Sequence, residues 1–314
     1  MSSRSIKDYL KISAKGMAMG AADIVPGVSG GTIALITGIY AELLSSLRGL
    51  TPAKLAVLVK DGPLAFWQSI NGNFLLALFA GILLSIKTLA GLVSWALEHH
   101  PLLLWGGFSG LILASLVSLY RQQARWQWPH IVLFALGAAL VVGLALAKPT
   151  ELPAYWWVLF LGGFIAISAM ILPGISGSFI LLLLGLYPQV LKAVETLDIV
   201  ALAVFALGCI CGLLLFSRFL SWLLLRWYQG TLAVMLGFLL GSLYVTWPWK
   251  QVLETTIDRH GEPRALRLAN ISPEQYTLLN GEANQWPAVL LCFALGAALV
   301  FILDRFSGSS KAQA

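Results

Sequence analysis

The residues best equipped for chemistry form two copies of one motif. Pro26-Gly27-Val28-Ser29-Gly30 recurs as Pro173-Gly174-Ile175-Ser176-Gly177, at an offset of 147 residues. Proline removes a backbone donor and breaks a helix, and glycine tolerates the turn that must follow. Hydroxyls come next, in Ser29-Gly30-Gly31-Thr32 and in Ser176-Gly177-Ser178, as at the capped start of a new helix. Free N–H groups and the positive dipole end at such a start favour an anion such as a phosphate. A pair of structural kinks with close helix packing would use the same residues. The duplication favours a site, because two broken helices meeting at the midplane is the plan of many secondary transporters.

Two cations stand in apolar runs. Gly81 through Lys87 aligns with Gly212 through Arg218 at an offset of 131, so Lys87 and Arg218 occupy equivalent places. A cation at the bilayer centre costs roughly 2.5–3.5 kcal/mol on insertion scales and therefore faces a cavity or a partner. Arg218 can hold a phosphate bidentately and Lys87 can act as a point charge. Snorkelling is the competing role, easier for Arg218 nearer its helix end. Asp23 and Glu42 flank the first motif, where the second half has Met170 and Gln189. A carboxylate in a half-dry cavity can exchange a proton or bind a cation, which would suit coupling to H+ or Na+. Asp23 as a partner of Lys87, and Glu42 as an interfacial residue near Arg48, account for them equally well.

Other chemistry is not signalled. His99, His100, His130 and His260 show no metal-ligand spacing with carboxylates, so no metal and no other cofactor is expected. No Walker-type phosphate loop is present, which argues against direct ATP drive. Cys209, Cys211 and Cys292 all lie in apolar stretches, where disulfides are not expected.

The chain that must position these groups has 314 residues, 59% of them hydrophobic and 11% charged, against roughly 25% charged in soluble domains. Its mean hydropathy is +0.84. These values exclude an ordinary cytosolic enzyme, a disordered chain and a nucleic-acid binder built on a basic patch, and leave a polytopic membrane protein. Six stretches are long and apolar enough to span: 73–97, 101–120, 129–147, 198–226, 230–247 and 286–304. Two more, 16–47 and 155–191, are broken near their middles by the Pro-Gly motifs. The basic N-terminus lacks the uninterrupted apolar core of a signal peptide and reads as retained.

Further matches complete an internal repeat. Gly107-Phe108 pairs with Gly237-Phe238, and Phe134 through Val141 is identical to Phe293 through Val300. The first repeat is 1–150 and the second 151–314, differing by a polar loop near 48–72 and a solvated excursion near 249–285. If each broken segment is a re-entrant hairpin, the halves are inverted; if each crosses once, they are parallel. Hairpins with the N-terminus inside put 12 Lys and Arg in inner loops and 6 in outer ones, whereas single crossings give 8 and 10. The positive-inside rule favours hairpins. The expected fold is all-α and polytopic: two inverted-topology repeats, each a re-entrant broken-helix hairpin plus three transmembrane helices, with both termini cytoplasmic. Tryptophans near the span ends, such as Trp67, Trp95, Trp156 and Trp286, read as interfacial anchors.

The run from Gly16 through Asp23 to Thr32, followed by Gly38-Ile39-Tyr40-Ala41-Glu42, closely resembles the opening signature of the bacterial polyprenyl-phosphate transporter family. Leu172 through Ser178 and Gly237 through Ser242 are similar to that family as well, and the likeness covers nearly the whole chain. The resemblance implies a multi-pass protein of the bacterial inner membrane that returns undecaprenyl phosphate from the outer to the inner leaflet for envelope polymer synthesis. It carries over no settled binding residues. The expected partner is this membrane lipid and not nucleic acid, and a homo-oligomer is compatible with the sequence. An intramembrane undecaprenyl-diphosphate phosphatase is the enzymatic alternative, but Gly30 stands where its loop arginine would be, and Ser29 has no basic partner to activate it. A transporter of a small anion would use the same helix ends.

Overall fold

The computed structural model describes residues 4–24, 29–122, 126–150, 152–153, 155–257 and 263–311. The first half opens with α1 (Ile6–Ile24), α2 (Gly30–Ile36) and α3 (Tyr40–Arg48), and closes with α6 (Gly72–His99), α7 (Pro101–Gln122) and α8 (Trp128–Leu146). The second half repeats the order as α9 (Trp156–Ile171), α10 (Gly177–Leu183), α11 (Tyr187–Glu195), α12 (Ile199–Arg226), α13 (Tyr228–Val245) and α15 (Trp286–Lys311). Five helices (α6, α7, α8, α12 and α13) are long and apolar enough to cross a membrane, or up to seven spans if each bent pair counts as one. The chain is thus an all-α polytopic membrane protein.

The broken segments differ in detail from the sequence expectation. The first begins at Ile6 rather than near residue 16. Lys7 and Lys11 are exposed on α1 while Ile12, Gly16, Met19 and Gly20 are buried, so long basic side chains leave one face of the helix free to pack. Each segment is also three helices rather than two limbs. The α2–α3 pair is bent by 115° and α10–α11 by 105°. Both bends turn at equivalent left-handed glycines, Gly38 (φ +74°) and Gly185 (φ +69°), a conformation that a Cβ makes costly.

Four helix pairs hold the bundle together, each through small residues that let backbones approach closely. Gly16 meets Leu78, Gly20 meets Ile82 and Ser85, and Gly81 meets Ser13, so α1 and α6 run parallel. Gly208 meets Phe160 as Gly81 meets Ser13, so α9 runs parallel to α12 and the two helices match α1 and α6 at an offset of 127 rather than 131. That match sets Arg218 against Gly91 and Lys87 against Leu214, so the two cations do not occupy equivalent places, contrary to the sequence expectation. The other two pairs cross between the halves. Gly137 against Val234 and Gly241 against Ala138 pair α8 with α13; Gly106 against Val289 and Gly110 against Phe293 pair α7 with α15. The equivalent helices α7 and α13 meet each other start to end. Ser109 Oγ donates to the Thr246 carbonyl at 2.8 Å, and Lys250 Nζ lies 4.1 Å from the ring centre of Trp105.

The loops carry structure that periodicity did not announce. Residues 48–72 hold two short helices, α4 (Pro52–Lys60) and α5 (Pro63–Ser69). The excursion after α13 folds into an antiparallel hairpin, β1 (Lys250–Ile257) with β2 (Pro263–Asn270), followed by α14 (Pro273–Asn280). Trp249, which the sequence places near a span end as a further interfacial anchor, is instead buried, 7% exposed, and donates Nε1–H to the Asn284 carbonyl at 2.9 Å.

Candidate functional site

Pro26 and Gly27 lie outside the described residues, so the first break is defined by its flanks. The Asp23 carboxylate, at the end of α1, accepts the Gly30 N–H at 2.7 Å. Ser29, the N-cap of α2, accepts the Gly31 N–H at 3.1 Å. The first two donors of α2 are therefore satisfied by side chains. At the second break Ser176 caps no backbone donor; its hydroxyl lies 2.9 Å from that of Ser178. The two helix starts differ, although their sequences match.

The two breaks meet. Ser29 Oγ lies 3.2 Å from the Met170 carbonyl and 3.1 Å from that of Leu172. Tyr40 donates its hydroxyl to the carbonyl of Ile171, between them, at 3.0 Å. Thr32 Oγ1 accepts the Gly174 N–H at 2.9 Å. The last carbonyls of a helix have no partner within it, and in a water-free interior they must find one elsewhere. Hydroxyls of the first half supply those partners to α9. The approach is close: a Cβ at Gly31 would sit 2.6 Å from the Ile171 carbonyl oxygen, and one at Gly174 (φ +83°) 2.7 Å from that of Phe238. Pro173 and Gly177 are buried beside this contact.

The two cations stand level with the two breaks. Gly20 contacts Ile82 and Ser85 on the parallel helix α6; at 1.5 Å rise per residue, Lys87 is then level with the end of α1. Gly212 contacts Phe164 and Ile167, which puts Arg218 level with the end of α9. Their surroundings differ. Lys87 is exposed, whereas Arg218 is half-buried and its Nη2 donates to the Leu50 carbonyl at 3.1 Å, just past α3.

The carboxylates separate in the same way. Among the described residues Asp23 makes no ion pair, and its recorded partner is a backbone amide. Glu42 is bridged by both terminal nitrogens of Arg4, at 2.6 and 2.8 Å, and accepts from Asn71 at 2.8 Å. Its cation is Arg4 rather than Arg48, because the longer α1 brings the N-terminus across to the start of α3. Tyr40, visible in the sequence only as half of a repeat match, and Arg4 are the participants that residue type and spacing did not single out. Among the described residues, no group of three His, Cys, Asp or Glu side chains could hold a metal ion.

The profile of the undecaprenyl phosphate translocase-like family matches residues 19–264. A polyprenyl-phosphate transporter of Vibrio cholerae is 45% identical over 300 residues, which cover 96% of this chain and 97% of that one. A polyprenyl-phosphate transporter of Staphylococcus aureus is 31% identical over 255 residues, covering 74% of this chain and 84% of its own. No solved structure matches. The chain belongs to the undecaprenyl phosphate translocase-like family.

Proposed function

Starting from that membership, we propose that this chain is a lipid flippase that returns undecaprenyl phosphate from the outer to the inner leaflet of the bacterial plasma membrane. The observation that carries the reading is the meeting of the two breaks, Ser29, Thr32 and Tyr40 of one half with residues 170–174 of the other. Irregular backbone at membrane depth is tolerated only where protein or a polar cavity covers it, and transporters place their substrates at such breaks. The phosphate is held where Lys87 and Arg218 stand level with the breaks, near Ser29, Gly30, Gly31 and Thr32 on one side and Ser176, Gly177 and Ser178 on the other. Pro26, Gly27, Pro173 and Gly174 shape the turns. Asp23 serves as the ion-coupling carboxylate for H+ or Na+, with Glu42 contributing through its link to Arg4.

The inverted arrangement of the halves is part of this proposal. It is supported by the contact of α7 with α13, equivalent helices that meet start to end. A two-fold axis in the membrane plane produces that relation, and an axis along the membrane normal does not. Inverted halves offer one site to both leaflets in turn, with the termini and the first re-entrant segment on the cytoplasmic side. The phosphatase alternative gains nothing: Gly30 donates to Asp23 where an arginine would be needed, and phosphoryl transfer requires charge stabilisation at that point.

The test is exchange of undecaprenyl phosphate in liposomes, read by a membrane-impermeant enzyme that modifies exposed headgroups. Wild-type protein should accelerate exchange, and Lys87→Ala and Arg218→Ala should each remove it. Exchange that persists in both variants would discard the cation site. Absence of exchange with and without an imposed H+ or Na+ gradient would discard the flippase, and export of inorganic phosphate instead would favour the small-anion transporter.

A further inference from the structure

The segment between α3 and α6 is a small helical hairpin fastened at the mouth of a spanning helix. Thr51 caps α4, accepting the Lys54 N–H at 3.1 Å. Pro52 and Pro63 open α4 and α5, where a proline sacrifices no helical hydrogen bond. Gly62, at φ +89°, turns the chain between them. The Lys54 amine donates to the Ser69 carbonyl and ties α4 to the end of α5. Trp67 ties α5 to α6: its Nε1–H donates to Asn73 Oδ1 at 2.7 Å, and its ring lies against Gly72, where a side chain would have no room. The hairpin is therefore held at the first turn of a helix long and apolar enough to cross a membrane.

The free end of this hairpin is apolar. Val59, at the end of α4, is 86% exposed, and Leu64, at the start of α5, is 69% exposed, with Leu58 at 39% beside them. A fixed element that turns large aliphatic side chains outward marks an interaction surface. Its position identifies the partner. The apolar helix α6 begins at Gly72, so a hairpin pinned to that turn lies at headgroup level, where an indole such as Trp67 is also favoured. The charges agree. Residues 48–72 hold Arg48, Lys54 and Lys60 against Asp61 alone, and Arg48 and Lys60 are exposed. An apolar tip flanked by cations is complementary to a bilayer surface that carries anionic lipid. We propose that the α4–α5 hairpin docks on the bilayer surface from which α6 enters, with Leu58, Val59 and Leu64 among the acyl chains and Lys60 against anionic headgroups. The docking also sets a depth. Leu50, whose carbonyl accepts from Arg218, immediately precedes the cap of α4, so the end of α3 and its contact with α12 are held at the level of the headgroups.

Fluorescence of the full chain in lipid nanodiscs tests the docking, with Cys209, Cys211 and Cys292 replaced by alanine and an environment-sensitive dye attached at Val59→Cys or at Leu64→Cys. Both positions are exposed, so the label displaces no packed side chain. Discs of phosphatidylglycerol and phosphatidylcholine are read with a nitroxide on the acyl chains or with iodide in the buffer. The nitroxide should remove most of the emission at both positions, and iodide little of it. Lys60→Glu should weaken the nitroxide effect at Val59→Cys in these discs and leave it unchanged in discs of phosphatidylcholine alone. Quenching by iodide and not by the nitroxide would place the tip in water and overturn the proposal. Quenching by neither would place it under a protein surface, such as a second copy of this chain, and overturn it as well. A Lys60→Glu effect of equal size in both kinds of disc, or none in either, would overturn the anionic headgroup as the partner of the cations.

Discussion

The Tyr40 hydroxyl donates to the Ile171 carbonyl across the join between the two halves, 131 residues apart in the chain. Tyr40 is 3% exposed, so neither group has water as an alternative partner. Together with Ser29 and Thr32 it makes the end of one broken helix the binding partner of the other.

Removing one of these hydroxyls leaves a buried backbone group unpaired, at a cost of about 1–3 kcal/mol. Thr32→Val and Tyr40→Phe should each lower stability by that order in detergent, measured by equilibrium unfolding. Thr32→Ser should retain most of the wild-type value, because it keeps the acceptor for the Gly174 N–H. A Thr32→Val variant as stable as wild type would show that this hydrogen bond contributes nothing to the join.

The space at Gly31 makes a sharper case. A methyl group there would come 2.6 Å from the Ile171 carbonyl oxygen, so α2 must move off the end of α9. Gly31→Ala should cost about 1–3 kcal/mol as an overpacked contact and depress lipid exchange. Gly143→Ala, in α8 with nothing within 4 Å of the new methyl, should instead stabilise by about 1 kcal/mol through helix propensity. Comparing the two unfolding curves separates a packing requirement from a general aversion to substitution.

One substitution divides the bond that Asp23 makes to Gly30 from the coupling role proposed for it. An asparagine retains an oxygen to accept the Gly30 N–H, so Asp23→Asn should fold and keep the start of α2 intact. It carries no titratable charge, so stimulation of exchange by an imposed ion gradient should vanish and the rate fall to its gradient-free level. Persistence of that stimulation would remove Asp23 from the coupling step.

Lys250 gives a pH signature outside the membrane-spanning helices. Burial pulls its amine down to about 8, although Nζ donates to the Val245 carbonyl at 2.6 Å and faces Trp105. In the unfolded chain the amine keeps its proton until about pH 10.4. Below pH 8 both states are charged and the folded state carries the whole burial penalty; between about 8 and 10 the unfolded state binds more protons, so stability rises with pH. Thermal unfolding across this range should show the rise in wild type, and Lys250→Met should flatten it.

Much of this molecule was legible because the bilayer enforces length. Each of the six spans expected from apolar runs falls on one helix, and the Pro-Gly repeats mark the two breaks. Features outside that constraint were harder to read. The start of α1 is hidden by Lys7 and Lys11, exposed residues that lower its hydropathy without entering its packed face, and by Lys15, whose half-buried amine donates to the Thr37 carbonyl at 2.7 Å. The hairpin from Lys250 to Asn270 sits in a mixed polar segment, where only the β-branched Thr255-Thr256-Ile257 hints at a strand. A short run of matching residues paired Lys87 with Arg218 in the sequence, but the helix ends and glycine contacts shift the match by one turn and set Arg218 against Gly91.

The crossed packing of the last helices has a consequence of its own. Since α8 lies on α13 and α7 on α15, neither half can bury its last two apolar helices alone. A half expressed separately would be an open subunit, complete only when the other half docks on it. The single chain is therefore two mutually dependent halves joined by a linker. Cut in the segment between α8 and α9 and produced as two polypeptides, it should reassemble through its glycine faces without a covalent link.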